Sequence, residues 1–163
     1  MKTRILIISL IGLAISGFSH ASTKILPWTE LVPLSERNQH IETMINHDLS
    51  LDERAPQQLI GTMVSDLNNT QQTVAGFVVP LEISGNKIQQ FLLVPFFGAC
   101  LHVPPPPPNQ IILVNHTIDY VDPWEPVVLD GTLKVEQHTQ DSIQTGYRLN
   151  VTGNLRKLQD ITL

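Results

Sequence analysis

The sequence predicts a mainly β domain of the α+β class: a small, five-stranded, OB-like (oligonucleotide/oligosaccharide-binding-type) β-barrel preceded by an N-terminal helix. From Thr70 onwards short apolar runs alternate with turn signals, which is typical of all-β domains. Glycines also interrupt two of the predicted strands, at Gly76 and Gly131, and glycine lets a strand bend sharply at a barrel corner. A small β-sandwich is the alternative architecture.

The five strands are predicted from apolar runs that are bounded by turn residues. A turn at Ser84–Lys87 joins the first two strands into a hairpin. Gly76 indicates a bulge or a close backbone approach, and Pro80 indicates an edge or the end of a strand. Residues 154–163 are predicted to form a short terminal helix or an edge segment. The predicted strands are residues 73–81, 88–94, 110–114, 127–136 and 146–153.

The first 21 residues have the pattern of a secretory signal peptide. Lys2 and Arg4 precede an apolar stretch from Ile5 to Phe18, and small residues lead to a cleavage position near Ala21. An apolar stretch of this length is shorter than the roughly 20 residues that a membrane-spanning helix needs. We therefore expect a periplasmic protein whose mature chain has no transmembrane segment.

Residues 22–69 are expected to form an extended and helical lead-in to a β domain at residues 70–163. Trp28 and Leu31 should pack on that domain, because an exposed tryptophan there would leave a large apolar surface in water. Residues 35–47 are predicted to form a helix, with Ser35 as its N-cap and an apolar stripe of Ile41, Met44 and Ile45. Residues 57–60 are predicted to add a second short helix or a first edge strand.

The charge balance excludes some classes of partner. The chain has a net charge of −5, which becomes −7 once Lys2 and Arg4 are removed. Nucleic acids and anionic membranes both favour clusters of lysine and arginine, so an acidic chain is expected to bind neither. The chain has one cysteine, which excludes an internal disulfide bond.

The candidate functional site is the connection between the second and third predicted strands, which holds the single cysteine and five consecutive prolines. Cysteine and histidine stand there at positions i and i+2, which lie on the same face of an extended chain. We expect this loop to face a ligand or a partner. Its candidate residues are Phe97, Gly98, Cys100, His102, Pro104, Pro105, Pro106, Pro107, Pro108, Asn109 and Gln110.

Three roles for Cys100 and His102 remain open at the level of sequence. The pair could bind Zn²⁺, although a stable zinc site takes at least three protein ligands. The pair could also act as a thiolate and its base, but no orienting acid or oxyanion donor is identifiable. A buried cysteine with a purely structural role is the third interpretation. The candidates for a third zinc ligand are His47, Glu82, His116 and Asp122.

The five prolines predict a stiff polyproline II rod about 15 Å long, at roughly 3.1 Å per residue. Prolines donate no hydrogen bond, so such a rod lies on the surface or has its carbonyl groups matched by donors. It would suit an aromatic-lined groove, either within the protein, formed by Trp124 or Tyr120, or on a partner.

Residues 78–82 and residues 91–110, which include Cys100 and His102, resemble a bacterial envelope family that is known only as a domain of unknown function. The hallmark of that family is Phe/Tyr-Gly-Ala-Cys-x-His-Val-Pro-Pro-Pro-Pro-Pro-Asn-Gln after an apolar strand. The resemblance extends more loosely to the Gly131 strand and to the Gly146-Tyr147 pair, and it covers roughly residues 70–152.

This resemblance implies an exported protein that is periplasmic or lipid-anchored, sometimes encoded near an ABC transporter and proposed to assist zinc uptake. No cysteine follows the predicted signal to carry a lipid anchor. The sequence and the resemblance together favour a non-enzymatic binding or accessory protein, with an envelope protein or an ABC transporter component as its partner. The alternatives are a thiol-dependent enzyme that uses Cys100 and His102, and a loop with a structural role only.

Overall fold

A computed structural model describes residues 24–37, 57–98, 105–140 and 142–161, and these form one mixed β-sheet with short 3₁₀ helices. The strands are β1 (Thr70–Ser84), β2 (Lys87–Val94), β3 (Ile112–Asp119), β4 (Val127–Gln140), β5 (Ile143–Val151) and β6 (Arg156–Lys157). The 3₁₀ helices are Trp28–Leu31, Ser65–Leu67, Pro108–Gln110 and Leu158–Asp160. The prediction of a mainly β protein is confirmed.

Strand pairing runs around the sheet and returns to its starting strand. The order is β1-β2-β3-β5-β4-β6, and β1 also pairs with β4. Residues 70–76 of β1 pair with β4, and residues 77–84 pair with β2. Strands β3 and β5 run parallel, while the other pairings among the described strands are antiparallel. The hydrogen bonds therefore form a ring within one sheet, rather than the two separate sheets that a sandwich requires.

The main core lies on one face of this ring. Alternate residues of each strand point to that face, as the two-residue period of a β-strand requires. Val74 and Val78 of β1 meet Phe91 and Leu93 of β2 there, and all four are buried. A second buried cluster occupies the opposite face and contains Leu92, Val94, Ile111, Leu113 and Ile143. Both faces of the β2–β3 region are thus apolar, which explains the continuous apolar runs in their sequences.

The first strand is longer than predicted, and its irregularity lies elsewhere. Register shifts flank Glu82, on its Pro80 side and on its Ile83 side, so the bulge comes after Pro80 rather than at Gly76. Gly76 is instead a point of close approach: a Cβ there would lie 2.8 Å from the carbonyl oxygen of Val94. Of the two interpretations of Gly76, the close backbone approach is therefore correct and the bulge is not.

The predicted hairpin between β1 and β2 is present. Ser84 pairs with Lys87 across a two-residue turn, and Gly85 adopts φ +59°, a left-handed conformation that favours glycine. Strand β4 ends later than predicted, and β5 both begins and ends earlier than predicted. The added pairing, such as that of Thr139 with Gln144, lies in polar sequence that gave no strand signal.

The lead-in packs on the sheet as expected. Leu31 is fully buried in the main core, and Trp28 is half-buried against it. The indole Nε1 of Trp28 donates a hydrogen bond of 2.7 Å to the carbonyl oxygen of Ala75. In the helix predicted at residues 35–47, residues 35–37 form a turn and the others lie outside the described residues. Residues 57–60 are neither helix nor strand, so that prediction was wrong.

The C-terminal segment contains both of the elements that were predicted as alternatives, a short edge strand and a short helix. Strand β6 pairs with the start of β4 through Val127 and Lys157, and a 3₁₀ helix follows it directly. The described part of the chain contains no helix long and apolar enough to cross a membrane.

Candidate functional site

The candidate loop connects β2 to β3, and the structure describes both of its ends. Phe97 and Gly98 stand on the β2 side, and residues 105–110 stand on the β3 side. Cys100, His102 and Pro104 lie outside the described residues. The site is therefore defined by the two arms that hold the central residues.

The upstream arm presents two phenylalanines to solvent. Phe96 is 44% exposed and Phe97 is 53% exposed, although both follow a strand that ends in buried residues. The ring of Phe97 lies 6.4 Å from that of Phe77, at an interplanar angle of 58°. This tilted arrangement is favourable for aromatic rings. Gly98 then turns the chain with φ +83°.

The downstream arm is buried rather than exposed. Residues 105–109 are all buried, and Pro107 has φ −61° and ψ 157°, which is polyproline II geometry. Pro108 begins the 3₁₀ helix Pro108–Gln110, so the extended conformation ends one residue earlier than five consecutive prolines predict. Proline suits the first position of a helical turn because its missing N–H would have no partner there.

One glutamine side chain connects the downstream arm to a strand by hydrogen bonds to backbone groups of both. The Nε2 of Gln57 donates to the carbonyl oxygens of Pro106 and Gln144, at 2.8 Å each. The backbone N–H of Gln144 donates to the Oε1 of Gln57 at 2.7 Å. The side-chain amide thus pairs with the start of β5 as a backbone peptide would, and it ties the proline segment to that strand.

The next two residues of the arm reach the lead-in and the segment before β1. The Nε2 of Gln110 donates to the carbonyl oxygen of Trp28 at 3.0 Å. The Nδ2 of Asn109 donates to the carbonyl oxygen of Thr62 at 3.2 Å. The neighbouring Gly61 has φ +112°, and a Cβ there would lie 2.4 Å from that Nδ2, so only glycine fits. Asn109 is 2% exposed, and its Oδ1 has no hydrogen-bond partner among the described residues.

The hydroxyl group of Tyr147 in β5 holds three segments of the chain together. Its hydroxyl donates to the carbonyl oxygen of Leu31 at 2.8 Å and accepts from the backbone N–H of Val64 at 2.7 Å. Burial raises the pKa of Tyr147, and the hydrogen bond from Val64 opposes that rise. The neutral hydroxyl therefore links the lead-in, the pre-β1 segment and β5.

The predicted third zinc ligands lie away from the loop wherever they are described. Glu82 pairs with Gln90, four residues before β2 ends, and each strand residue adds about 3.3 Å. His116 is the fifth of the eight residues of β3, and Asp122 follows that strand. His47 lies outside the described residues. No three potential ligands among His, Cys, Asp and Glu cluster within the described ranges.

The two aromatic residues expected to line an internal groove are largely exposed. Trp124 is 62% exposed and Tyr120 is 49% exposed. The described contacts of the proline segment are instead with Gln57 and with Gly146, where a Cβ would lie 2.8 Å from the carbonyl oxygen of Pro108. Sequence reasoning missed Gln57 because no local pattern connects it to residues 49 and 87 positions away.

These features define a β-rich domain in which a ring of paired strands carries one anchored, proline-rich loop. Residues 28–155 match the family described as "Protein of unknown function (DUF3299)", and the chain belongs to that family. A search of the curated proteins finds no match.

The fold is also similar to the crystal structure of a DUF3299 family protein from Pseudomonas aeruginosa PAO1. The two chains share 31% sequence identity with a TM-score of 0.68, and the match covers 84% of this chain and 97% of that one. The expected resemblance to a domain of unknown function is confirmed at the level of the family.

Proposed function

We propose that this protein is a periplasmic, non-enzymatic binding or accessory protein that acts through the Cys100–His102 loop. The observation that carries the proposal is the clamp on the downstream arm, in which Gln57 joins Pro106 to Gln144. A loop that is fixed at one end loses less conformational entropy when its centre binds, so a Cys-x-His segment anchored on its downstream side suits binding.

The proposal includes the finer features expected from the sequence. The ring of strands is an OB-like five-stranded β-barrel, and residues 1–21 are a signal peptide that directs the chain to the periplasm. The Cys-x-His-polyproline hallmark works as one unit. Its role is to assist an ABC-type zinc transport system, with a transporter component or another envelope protein as its partner.

The metal part of the proposal rests on the chemistry of the two side chains. A thiolate and an imidazole are the ligands that Zn²⁺ prefers, and Cys100 and His102 supply two of them. Of the candidate third ligands, Glu82 and His116 lie within strands β1 and β3, and Asp122 follows β3, all away from the described ends of the loop. We therefore propose that the partner or the transported ion's own ligands complete the coordination.

Metal titration tests the proposal. The purified protein is titrated with Zn²⁺ and with Cu⁺ by calorimetry, alongside Cys100→Ala and His102→Ala, with His138→Ala as the matched control. We expect both loop variants to lose at least tenfold in affinity and the control to keep it, because each ligand lost removes a metal bond. Equal affinity in all four proteins would rule out a metal role for the loop.

A pull-down from cells tests the partner role separately. The proline segment is replaced by alanines, and the bound proteins are compared with those of the unmodified chain. We expect an envelope transport protein to be lost from the variant. Retention of every bound protein by a folded variant would argue against docking through this segment.

A structural role for the loop is the second candidate, and the burial of residues 105–109 favours it. Buried, hydrogen-bonded segments contribute to stability whether or not they bind anything. In this case Cys100→Ser would lower the free energy of unfolding, while metal affinity, bound partners and cell phenotype would match the wild type.

A further inference from the structure

Two cations stand side by side on the face of the β4–β5 pairing that points away from the main core. Lys134 of β4 lies directly opposite Arg148 of β5. Their neighbours Leu133 and Leu149 belong to the main core, so both cations point to the other face, as the two-residue period of a strand requires. Like charges directly opposite each other in a sheet are destabilising. The stability of the fold therefore does not explain this pair.

Only one of the two charges is compensated. The Nη2 of Arg148 lies 2.9 Å from the Oε1 of Glu136, whereas Lys134 has no hydrogen bond or ion pair among the described residues. The other lysines and arginines of the described ranges do have such partners: Lys24, Arg37, Lys87, Arg156 and Lys157. Two cations and one carboxylate leave one positive charge at this place, in a chain whose net charge is −5.

Arg148 also has an unused donor. Its Nε is buried and has no hydrogen-bond partner among the described residues, which is unfavourable for an N–H group. The Nε and Nη2 atoms share one edge of the planar guanidinium group, and that edge binds carboxylates through two parallel hydrogen bonds. Glu136 therefore uses half of this edge. The side chain of Arg148 is 23% exposed, so a turn of its guanidinium group brings the edge to the surface.

The charge at this place favours a carboxylate over a phosphate group. A carboxylate neutralises one positive charge, whereas a phosphate group carries about −1.5 to −2 and would leave an excess of negative charge. The planar carboxylate also matches the fork of a guanidinium group. A single partly exposed ion pair contributes little binding energy by itself. The carboxylate must therefore belong to a larger molecule that makes further contacts.

We propose that Lys134 and Arg148 form a docking site for an aspartate or glutamate side chain of a partner protein. The partner's carboxylate accepts hydrogen bonds from the Nζ of Lys134 and the Nε of Arg148, while Glu136 keeps Nη2. The site borders the downstream arm of the candidate loop, because Gly146, on the same face of β5, lies against Pro108. This surface is additional to the proposed function and does not require metal binding by the loop.

Nuclear magnetic resonance tests this proposal, because the Nε–H groups of arginines give their own signals. The nitrogen-15-labelled protein is titrated with the peptide acetyl-Ala-Glu-Ala-amide, and with the same peptide carrying neutral glutamine in place of glutamate. We expect a saturable, millimolar shift of the Arg148 Nε signal with the glutamate peptide only. The Arg156 Nε signal should not move, since that side chain is already paired with Asp130.

Charge variants test the two sides of the site. Lys134→Gln should weaken binding of the glutamate peptide about threefold, the scale of a partly exposed ion pair. Lys87→Gln removes the same charge from an exposed site on β2 and should bind as the wild type does. Glu136→Gln should strengthen binding about threefold, because it frees Nη2 of Arg148. Glu82→Gln, at an exposed position of β1, is its matched control and should change nothing.

Three outcomes would overturn the proposal. The first is an equal shift with the glutamine peptide, and the second is equal affinity in Lys134→Gln and Lys87→Gln. The third is tighter binding of inorganic phosphate than of the glutamate peptide, which would make this a phosphate site. Weaker binding at higher salt would support the proposal, because exposed charges are screened. An unchanged Trp28 indole signal shows that each variant keeps the fold, since this indole donates to Ala75.

Discussion

The side chain of Gln57 and the backbone of Gln144 exchange two hydrogen bonds, of 2.8 and 2.7 Å, across 87 positions of sequence. The same amide nitrogen also donates to Pro106. A single side chain therefore connects three segments that share no strand pairing, and it fixes where the proline segment enters the sheet. The first prediction concerns this residue.

Gln57→Ala should lower the free energy of unfolding by about 1–3 kcal/mol, because it leaves partly buried backbone groups of Pro106 and Gln144 without this partner. Urea unfolding followed by circular dichroism measures the change. Gln89→Ala, an exposed glutamine of β2, is the matched control and should stay within about 0.5 kcal/mol of the wild type. Equal stability of the two variants would contradict a clamping role.

Tyr147→Phe should cost about 1–3 kcal/mol near pH 8, because it removes the hydroxyl that joins Leu31 and Val64. Chemical unfolding of the two proteins at matched protein concentration gives the difference. A difference near zero would mean that water replaces the hydroxyl without loss.

The same residue predicts a dependence on pH. Because burial raises the pKa of Tyr147 in the folded state, the unfolded chain ionises first, above about pH 10. The stabilisation that the Tyr147 hydroxyl gives the folded state is therefore complete below about pH 10, and it decreases as the pH rises through the folded-state pKa. The stability gap between wild type and Tyr147→Phe should narrow as the pH rises above 10, and a constant gap would contradict the assignment.

Gly146→Ala should destabilise the protein by about 1–3 kcal/mol, the usual cost of overpacking. A Cβ at this position would lie 2.8 Å from the carbonyl oxygen of Pro108 and 2.9 Å from the side chain of Met63. Gly153→Ala is the control, since nothing lies within 4 Å of its Cβ position. Thermal unfolding of both variants separates packing against the prolines from a general effect of replacing glycine.

The two tryptophans should differ in fluorescence. Trp28 is half-buried and hydrogen-bonded, whereas Trp124 is 62% exposed, so Trp124→Phe should leave a blue-shifted emission and Trp28→Phe a red-shifted one. Trp28→Phe should also cost about 1 kcal/mol through the lost hydrogen bond to Ala75. Identical emission from the two variants would contradict the described positions.

Strands in which apolar residues dominate can be predicted from the sequence, whereas strand pairing between polar residues cannot. The predicted strand at residues 88–94 agrees with β2 to within one residue, because Phe91 to Val94 are continuously apolar and buried on both faces. The pairing of Thr139 with Gln144 gave no signal, since it depends on a neighbouring strand rather than on apolar periodicity.

The candidate loop was located from its composition, but the way it is held was not predictable. Polyproline favours one backbone geometry, and Pro107 has it. That segment is held by Gln57, which donates to Pro106, and by Gly146, which lies against Pro108, and both residues come from distant parts of the chain. Such contacts depend on the complete fold, and no periodic pattern in the sequence predicts them.

The parallel pairing of β3 with β5 has a consequence for the order of folding. Ile112 pairs with Tyr147, so the ring cannot close until a strand near the C-terminal end of the sequence is present. Contacts between residues far apart in sequence form slowly, because the intervening chain must first lose its freedom. The β1–β2 hairpin can therefore form early from local contacts, while the ring of strands stays open until β5 pairs with β3.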